Sequence, residues 1–174
     1  MTWTQGVISA AMLTVLVAAP DDDAIALAET LAALVPAAVD GLVRRVRILT
    51  NGAPDLDLAQ LIDASGADHA IAAGDALAMW RSQPSGMDEW RLCLIAGMTP
   101  VSDWTDAVAR HVGRETKPAT FSIDGALTSR VIAAVLRMSM RPHPPSGLLV
   151  RGSWPQSLKA KLLPARLEDR RARR

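Results

Sequence analysis

Residues 12–55 limit the folds that this chain can adopt more than any other stretch. They hold an apolar run over 13–17, a helical pattern behind three aspartates, and a second apolar run that ends in Asn51-Gly52. A strand, an amphipathic helix and a second strand make a βαβ unit, which requires a parallel sheet. Parallel sheets bind ligands beyond the carboxyl ends of their strands, so candidate functional residues should follow the strands.

The remainder of the chain repeats this alternation of strand and helix. We predict strands over 13–17, 46–49, 70–73, 90–95, 119–123 and 147–151. We predict helices that start after Asp23 and end near Pro36, and over 56–64, 102–112 and 127–140. The first helix should pack on the sheet through Ile25, Ala28, Leu31, Leu34 and Val35. Repeated βα units indicate an α/β fold with a mostly parallel sheet and helices on both faces.

Length and charge suggest how the chain is divided. A chain of 174 residues with 49% hydrophobic and 21% charged residues fits one folded domain. We expect a loose N-terminal leader at 1–11, the domain at 12–155 and a basic C-terminal tail at 156–174. From Arg151 onward the chain has eight basic and two acidic residues, which suits an anionic membrane surface or a protein partner.

No targeting or metal-binding pattern stands out. Residues 1–20 carry no charge, whereas a signal peptide needs a positive start, so we expect a cytoplasmic protein, peripheral at the inner membrane if the tail binds it. Aromatic residues are not interleaved with the charges of the tail, which argues against nucleic-acid binding. Cys93 is the single cysteine and lies in an apolar run, typical of a core thiol. The three histidines have no metal-site spacing.

Several segments resemble family 2 glycosyltransferases, closest to a bacterial branch. They are Leu-Thr-Val-Leu-Val from residue 13, Thr-Leu-Ala-Ala-Leu-Val-Pro from residue 30, Ile-Leu-Thr-Asn-Gly-Ala-Pro-Asp from residue 48 and Trp-Arg-Leu-Cys-Leu-Ile-Ala-Gly from residue 90. The likeness covers about residues 12–154. It implies a GT-A fold, a Rossmann-like sheet that binds a nucleotide-diphosphate sugar, in most members together with a divalent metal.

Matching positions indicate which residues the resemblance would assign to the nucleotide. They are Asp21 after the first strand, Thr50, Asn51 and Asp55 after the second, and Arg81 near the family's diphosphate-binding arginine. The metal-binding motif of the family falls on Ile95-Ala96-Gly97, which has no side-chain oxygen, whereas a divalent ion on a diphosphate takes oxygen ligands. We therefore expect no metal and no cofactor beyond a nucleotide sugar as substrate.

The Glu168-Asp169 pair resembles the catalytic base motif of the family, with arginines following it as they do there. Two functions remain open. The first is transfer of a sugar without metal, with Arg81 stabilising the leaving diphosphate and Asp169 or Glu168 as base. The second is a non-catalytic scaffold or binding module. Asp21 and Asp55 are equally consistent with helix capping, which is the simpler interpretation of Asp22 and Asp23. An unrelated nucleotide-binding fold has little support, because no glycine-rich phosphate loop occurs.

Overall fold

A computed structural model describes residues 13–101, 103–123, 147–154 and 160–170 of the chain. In these ranges the elements follow one another in chain order as β1 (Leu13–Ala19), α1 (Ala24–Val39), β2 (Val43–Thr50), α2 (Leu56–Ser65), β3 (Asp68–Ile71), α3 (Ala76–Arg81), β4 (Trp90–Ile95), β5 (Met98–Val101), α4 (Trp104–Val112), β6 (Ala119–Ile123), β7 (Leu148–Arg151) and β8 (Lys161–Asp169). The predicted helix over 127–140 and the predicted leader lie outside the described residues.

The strands form one sheet in the order β3-β2-β1-β4-β7-β6-β8-β5. The four strands from β3 to β4 run parallel, and β8 runs parallel to β6. The strands β7 and β5 are antiparallel to their neighbours. The predicted mostly parallel α/β sheet is confirmed.

Helices cover both faces of the sheet. One core cluster joins β1 and β4 to α1, α2 and α4, with Leu27, Leu58 and Val108 as fully buried members. The other joins the opposite faces of β1, β4 and β7 to α3, through Met79 and Trp80. Because both faces are covered, β1 is buried along its whole length and is apolar apart from Thr14, as its sequence predicted.

The helix α1 differs from its prediction in its end and in its buried face. It continues through Pro36 to Val39, since a proline in the last turn removes only its own amide hydrogen bond and the next residue, Ala37, is buried. Ile25 and Val35 are 64% and 56% exposed, so the prediction that they face the sheet was wrong. The buried face is Ala26, Leu27, Thr30, Leu34 and Ala37.

The C-terminal segment also differs from its prediction. The sequence suggested a basic tail over 156–174, but residues 161–169 form β8, paired with β6 on one side and β5 on the other. Leu163, Ala165 and Leu167 alternate along β8 and are buried in the core. The described helices include none that is long and apolar enough to cross a membrane.

Candidate functional site

The carboxyl ends of β1, β2, β3 and β4 meet at one edge of the sheet. Ala18 lies opposite Ile95, Ala19 opposite Thr50, and Thr50 opposite Ile71. The helices α1, α2 and α3 each follow one of these strands and begin at this edge. We call this region the carboxyl edge, and parallel α/β sheets bind their ligands here.

Asn51 ties together the three loops that follow β1, β2 and β3. Its side-chain amide donates to the carbonyl oxygen of Pro20 at 3.1 Å, and its Oδ1 accepts from the backbone amide of Gly74 at 3.0 Å. Both polar ends of the side chain therefore have partners inside the protein. In this structure Asn51 holds the edge together.

Thr50 is fully buried, and its hydroxyl is also engaged internally. The hydroxyl donates to the carbonyl oxygen of Gly52 at 2.7 Å, and His69 Nε2 lies 2.9 Å from the hydroxyl oxygen Thr50 Oγ1. Since a hydroxyl has one proton, the His69 nitrogen must be the donor in the second hydrogen bond. The sequence prediction did not include His69, because its contact crosses from β2 to β3.

Aspartates cap all three helices that begin at the carboxyl edge. Asp23 accepts from the amide of Ala26 at 2.9 Å, Asp55 from Leu58 at 2.8 Å and Asp75 from Ala78 at 2.8 Å. The start of a helix is otherwise an anion-binding position, because its amides have no partner in the helix and its dipole is positive. Here a carboxylate of the protein itself takes that position three times.

Asp21 and Asp22 precede the cap of α1. Asp21 is exposed, and Asp22 has a left-handed backbone with φ of 51°. Together with the capping residues, Asp57 in the first turn of α2 and the Glu168-Asp169 pair, they make this edge rich in carboxylates.

The turn between β4 and β5 occupies the position of the metal motif in the resemblance. The amide of Ala96 donates to Ala18 O at 2.8 Å, and the amide of Gly97 lies 2.9 Å from Ala26 O and 2.8 Å from Thr30 Oγ1. These contacts press the turn against β1 and α1. Ile95, Ala96 and Gly97 offer no side-chain oxygen, so the residues present do not fit a divalent ion there. In the described ranges no three His, Cys, Asp or Glu side chains come together as metal ligands.

Glu168 and Asp169 end β8 beside this same turn. Asp169 lies opposite Met98 and Glu168 opposite Thr99, while the amide of Arg170 donates to Gly97 O at 3.1 Å. The Glu168 carboxylate lies 3.4 Å from Arg170 Nε. The structure therefore places Glu168 and Asp169, the two carboxylates predicted as the catalytic base, at the carboxyl edge.

Arg81 lies away from the other predicted site residues. The helix α3 starts at the carboxyl edge with its cap Asp75 and runs back along the sheet, and Arg81 is in its last turn. The Arg81 guanidinium stands 5.7 Å from the ring centre of Trp154. Trp154 follows β7, whose Arg151 pairs with Trp90 at the start of β4. Arg81 is thus near the amino ends of the parallel strands.

Cys93, the single cysteine of the chain, is buried and does not contribute a nucleophile to the site. Cys93 is fully buried in the middle of β4, and burial raises its pKa to about 12. A thiol with that pKa stays protonated at neutral pH and is a poor nucleophile. The prediction of a core cysteine is confirmed.

Comparisons with known proteins identify the fold. No family model matches the chain, and no curated protein matches it either. Solved structures do match. Glucosyl-3-phosphoglycerate synthase from Mycobacterium tuberculosis in complex with phosphoglyceric acid matches with a TM-score of 0.60 at 20% identity. The same enzyme in complex with Mn²⁺, uridine diphosphate and glucosyl-3-phosphoglycerate matches with a TM-score of 0.59 at 20% identity.

These matches cover 87% of this chain and 62% of the synthase chain, so the chain spans less than two thirds of that enzyme's length. A structure described as a mycobacterial protein matches at 19% identity with a TM-score of 0.56, over 83% of this chain and 55% of the other. The chain has the GT-A fold. The GT-A fold predicted from the resemblance is therefore confirmed.

Proposed function

We propose that this chain is a glycosyltransferase-like protein of family 2 type whose nucleotide-sugar site has lost its metal ligands and with them metal-dependent sugar transfer. The observation that carries the proposal is the turn over Ile95, Ala96 and Gly97. A metal on the donor diphosphate would need carboxylate ligands at this turn, but the turn has no side-chain oxygen and its amides are bonded to β1 and α1.

The capped helices support a loss of donor affinity as well. A diphosphate gains most from unoccupied helix amides and from basic side chains. At the carboxyl edge one amide in the first turn of each helix binds Asp23, Asp55 or Asp75 instead. An anionic donor without a metal would meet a carboxylate-rich surface, which like-charge repulsion disfavours.

One observation supports sugar transfer without a metal: the Glu168-Asp169 pair lies beside the β4–β5 turn. A carboxylate there could remove the proton of an acceptor hydroxyl. The same mechanism requires Arg81 to stabilise the leaving diphosphate. However, Arg81 stacks on Trp154 at the far end of α3. The mechanism therefore lacks the cation that the resemblance assigned to it, which favours the proposal that metal-dependent transfer and its metal-free substitute are both lost.

The decisive experiment measures release of nucleoside diphosphate from uridine- and guanosine-diphosphate sugars, with Mn²⁺ and with EDTA. We expect release to stay at the protein-free rate in both. Release that depends on Mn²⁺ would contradict the proposal. Release in EDTA that Glu168→Gln or Asp169→Asn abolishes would instead establish metal-free transfer.

A second candidate function is a scaffold or binding module that acts on a protein partner or membrane surface. It is favoured by the internal use of polar groups at the edge, since Thr50, Asn51 and Asp55 all bond within the protein. Under this proposal the protein is cytoplasmic or peripheral at the inner membrane. Sedimentation with phosphatidylglycerol vesicles and cross-linking in cells test it. A protein that neither sediments with the vesicles nor cross-links to a partner would rule it out.

A further inference from the structure

A groove of about 590 Å³ lies between α1 and α2, away from the carboxyl edge. Its floor is Val43 and Val46, in the amino half of β2, and its walls include Leu31 of α1 and Leu61 of α2. The groove is on the face of the sheet that α1 and α2 cover, near the end at which β1 and β2 begin.

The groove is apolar because two helices pack on the sheet without filling the space between them. Leu31, Val46 and Leu61 are only partly buried, and Val35 is 56% exposed along one wall. Apolar surface that stays open to water costs free energy, and apolar groups that pack on it recover that free energy. A charged group buried against these side chains would lose its hydration, so the groove favours an uncharged, apolar occupant.

The first residue of β1 lies beside the floor of this groove. Leu13 pairs with Val43 across the sheet, and the Leu13 amide donates to Leu42 O at 3.1 Å. Neighbouring strands are about 4.8 Å apart, so the chain enters β1 one strand away from the groove floor. The residues that precede β1 therefore join the fold next to the groove.

Residues 1–12, which precede β1, have the composition that the groove favours. They include no Asp, Glu, Lys, Arg or His, and their large apolar residues are Trp3, Val7, Ile8 and the methionines at 1 and 12. Twelve extended residues reach about 40 Å. The groove wall on α1, from Ala28 to Ala38, is about 15 Å long at 1.5 Å per residue. The segment can therefore follow the whole groove.

The other stretches of chain outside the described ranges fit the groove less well. They are 124–146, 155–159 and 171–174, and each contains Lys or Arg. Residues 124–146 follow β6 and residues 171–174 follow β8, and both strands run in the direction of β4, so they end at the carboxyl edge. Residues 155–159 follow Trp154, which packs in the core cluster of α3 on the opposite face. Position and composition together select residues 1–12.

We propose that residues 1–12 dock in the groove between α1 and α2 of their own chain and place their apolar side chains on Leu31, Val46 and Leu61. The proposal is independent of the function proposed for the carboxyl edge, because the groove is on another part of the molecule. It assigns the segment before β1 a fixed place on the fold, in contrast to the loose leader that the sequence suggested.

Disulfide trapping in the full chain tests the proposal. Val7→Cys or Ile8→Cys is combined with Ala32→Cys or Ala64→Cys, two exposed positions on the groove walls, and the protein is oxidised in dilute solution. A disulfide requires Cα atoms about 4.4–6.8 Å apart. We expect at least one of the four pairs to close within the monomer.

The reference is the same segment cysteine combined with Gln60→Cys, at an exposed position on α2 outside the groove. Its closure should be at least tenfold slower than that of the fastest groove pair. The native Cys93 is fully buried and stays in place in every variant, and it should not take part while the chain is folded.

A charge in the groove should release the segment. Val35→Lys adds that charge at an exposed wall position, where lysine is a better helix former than valine and suits the negative end of the helix dipole. Added to the pair that closes fastest, it should slow closure at least tenfold. Val39→Lys is the matched control, since Val39 is 80% exposed on the same helix and does not line the groove, and it should leave closure unchanged.

Three results would overturn the proposal. The first is that no groove pair closes faster than the Gln60→Cys reference. The second is closure into disulfide-linked dimers, which would place the segment of a second copy in the groove. The third is closure that Val35→Lys does not slow while circular dichroism shows the variant folded, which would mean that the segment passes the groove without docking in it.

Discussion

Replacing Asn51 should loosen the carboxyl edge more than the position's exposure suggests. Asn51→Ala removes two hydrogen bonds, of 3.1 Å to Pro20 and 3.0 Å from Gly74, which connect loops far apart in sequence. A neutral hydrogen bond contributes about 0.5–1.5 kcal/mol net. Both bonds are exposed to water, which partly replaces them, so we expect a loss of about 1–2 kcal/mol in the free energy of unfolding. For a chain of this size that lowers Tm by roughly 2–8 °C.

Calorimetry and hydrogen exchange test this prediction together. The amide of Gly74 should exchange faster in Asn51→Ala, whereas Asn51→Asp, which keeps the acceptor for that amide, should retain its protection. Gln60→Ala, at an exposed position on α2, is the matched control and should leave Tm unchanged. A Tm of Asn51→Ala equal to that of the wild type, with unchanged exchange at Gly74, would refute the reasoning.

Three further predictions concern the buried thiol, the Glu89 carboxylate and two glycines with positive φ. Cys93, whose pKa is raised to about 12 by burial, should not react with a thiol reagent at pH 8 until denaturant unfolds the chain. Partial burial would raise the pKa of Glu89, but hydrogen bonds and nearby arginines outweigh it and hold the pKa below 4.5. Its ionised form therefore stabilises the fold above that pH. The stability difference between wild type and Glu89→Gln, measured by urea unfolding, should shrink as the pH falls below 4.5. Gly152→Ala should cost more than Gly66→Ala in the same assay, because both have positive φ but only the new Cβ at 152 would meet a backbone oxygen, that of Met87, at 2.5 Å.

The sequence predicted six of the eight described strands, and it missed β5 and β8. Strands β4 and β6 have the bounds that the sequence predicted, 90–95 and 119–123, and β4 is apolar apart from Arg91 because it is covered on both faces. The short strand β5 contains Pro100 and follows β4 after two residues, which gives it no run of its own. In β8, Leu163 and Leu167 alternate with Pro164 and Arg166 inside a basic segment, which favoured a tail over a strand.

The candidate site shows a similar limit. The sequence could identify Asn51-Gly52 as a turn and Asp55 as a cap or ligand, since both depend on neighbours in the chain. It could not show that the Asn51 amide reaches Pro20 and Gly74, because only the sheet brings those loops together. It also gave no direction for α3, and that direction separates Arg81 from the other candidates.

The affinity for uridine diphosphate in the presence of Mn²⁺, divided by the affinity in EDTA, tests the central claim most directly. Because the turn over Ile95, Ala96 and Gly97 has no side-chain oxygen to offer, we predict a ratio near one or no measurable binding in either buffer. A tenfold or larger gain with Mn²⁺, about 1.4 kcal/mol, would contradict the claim that the metal site is lost.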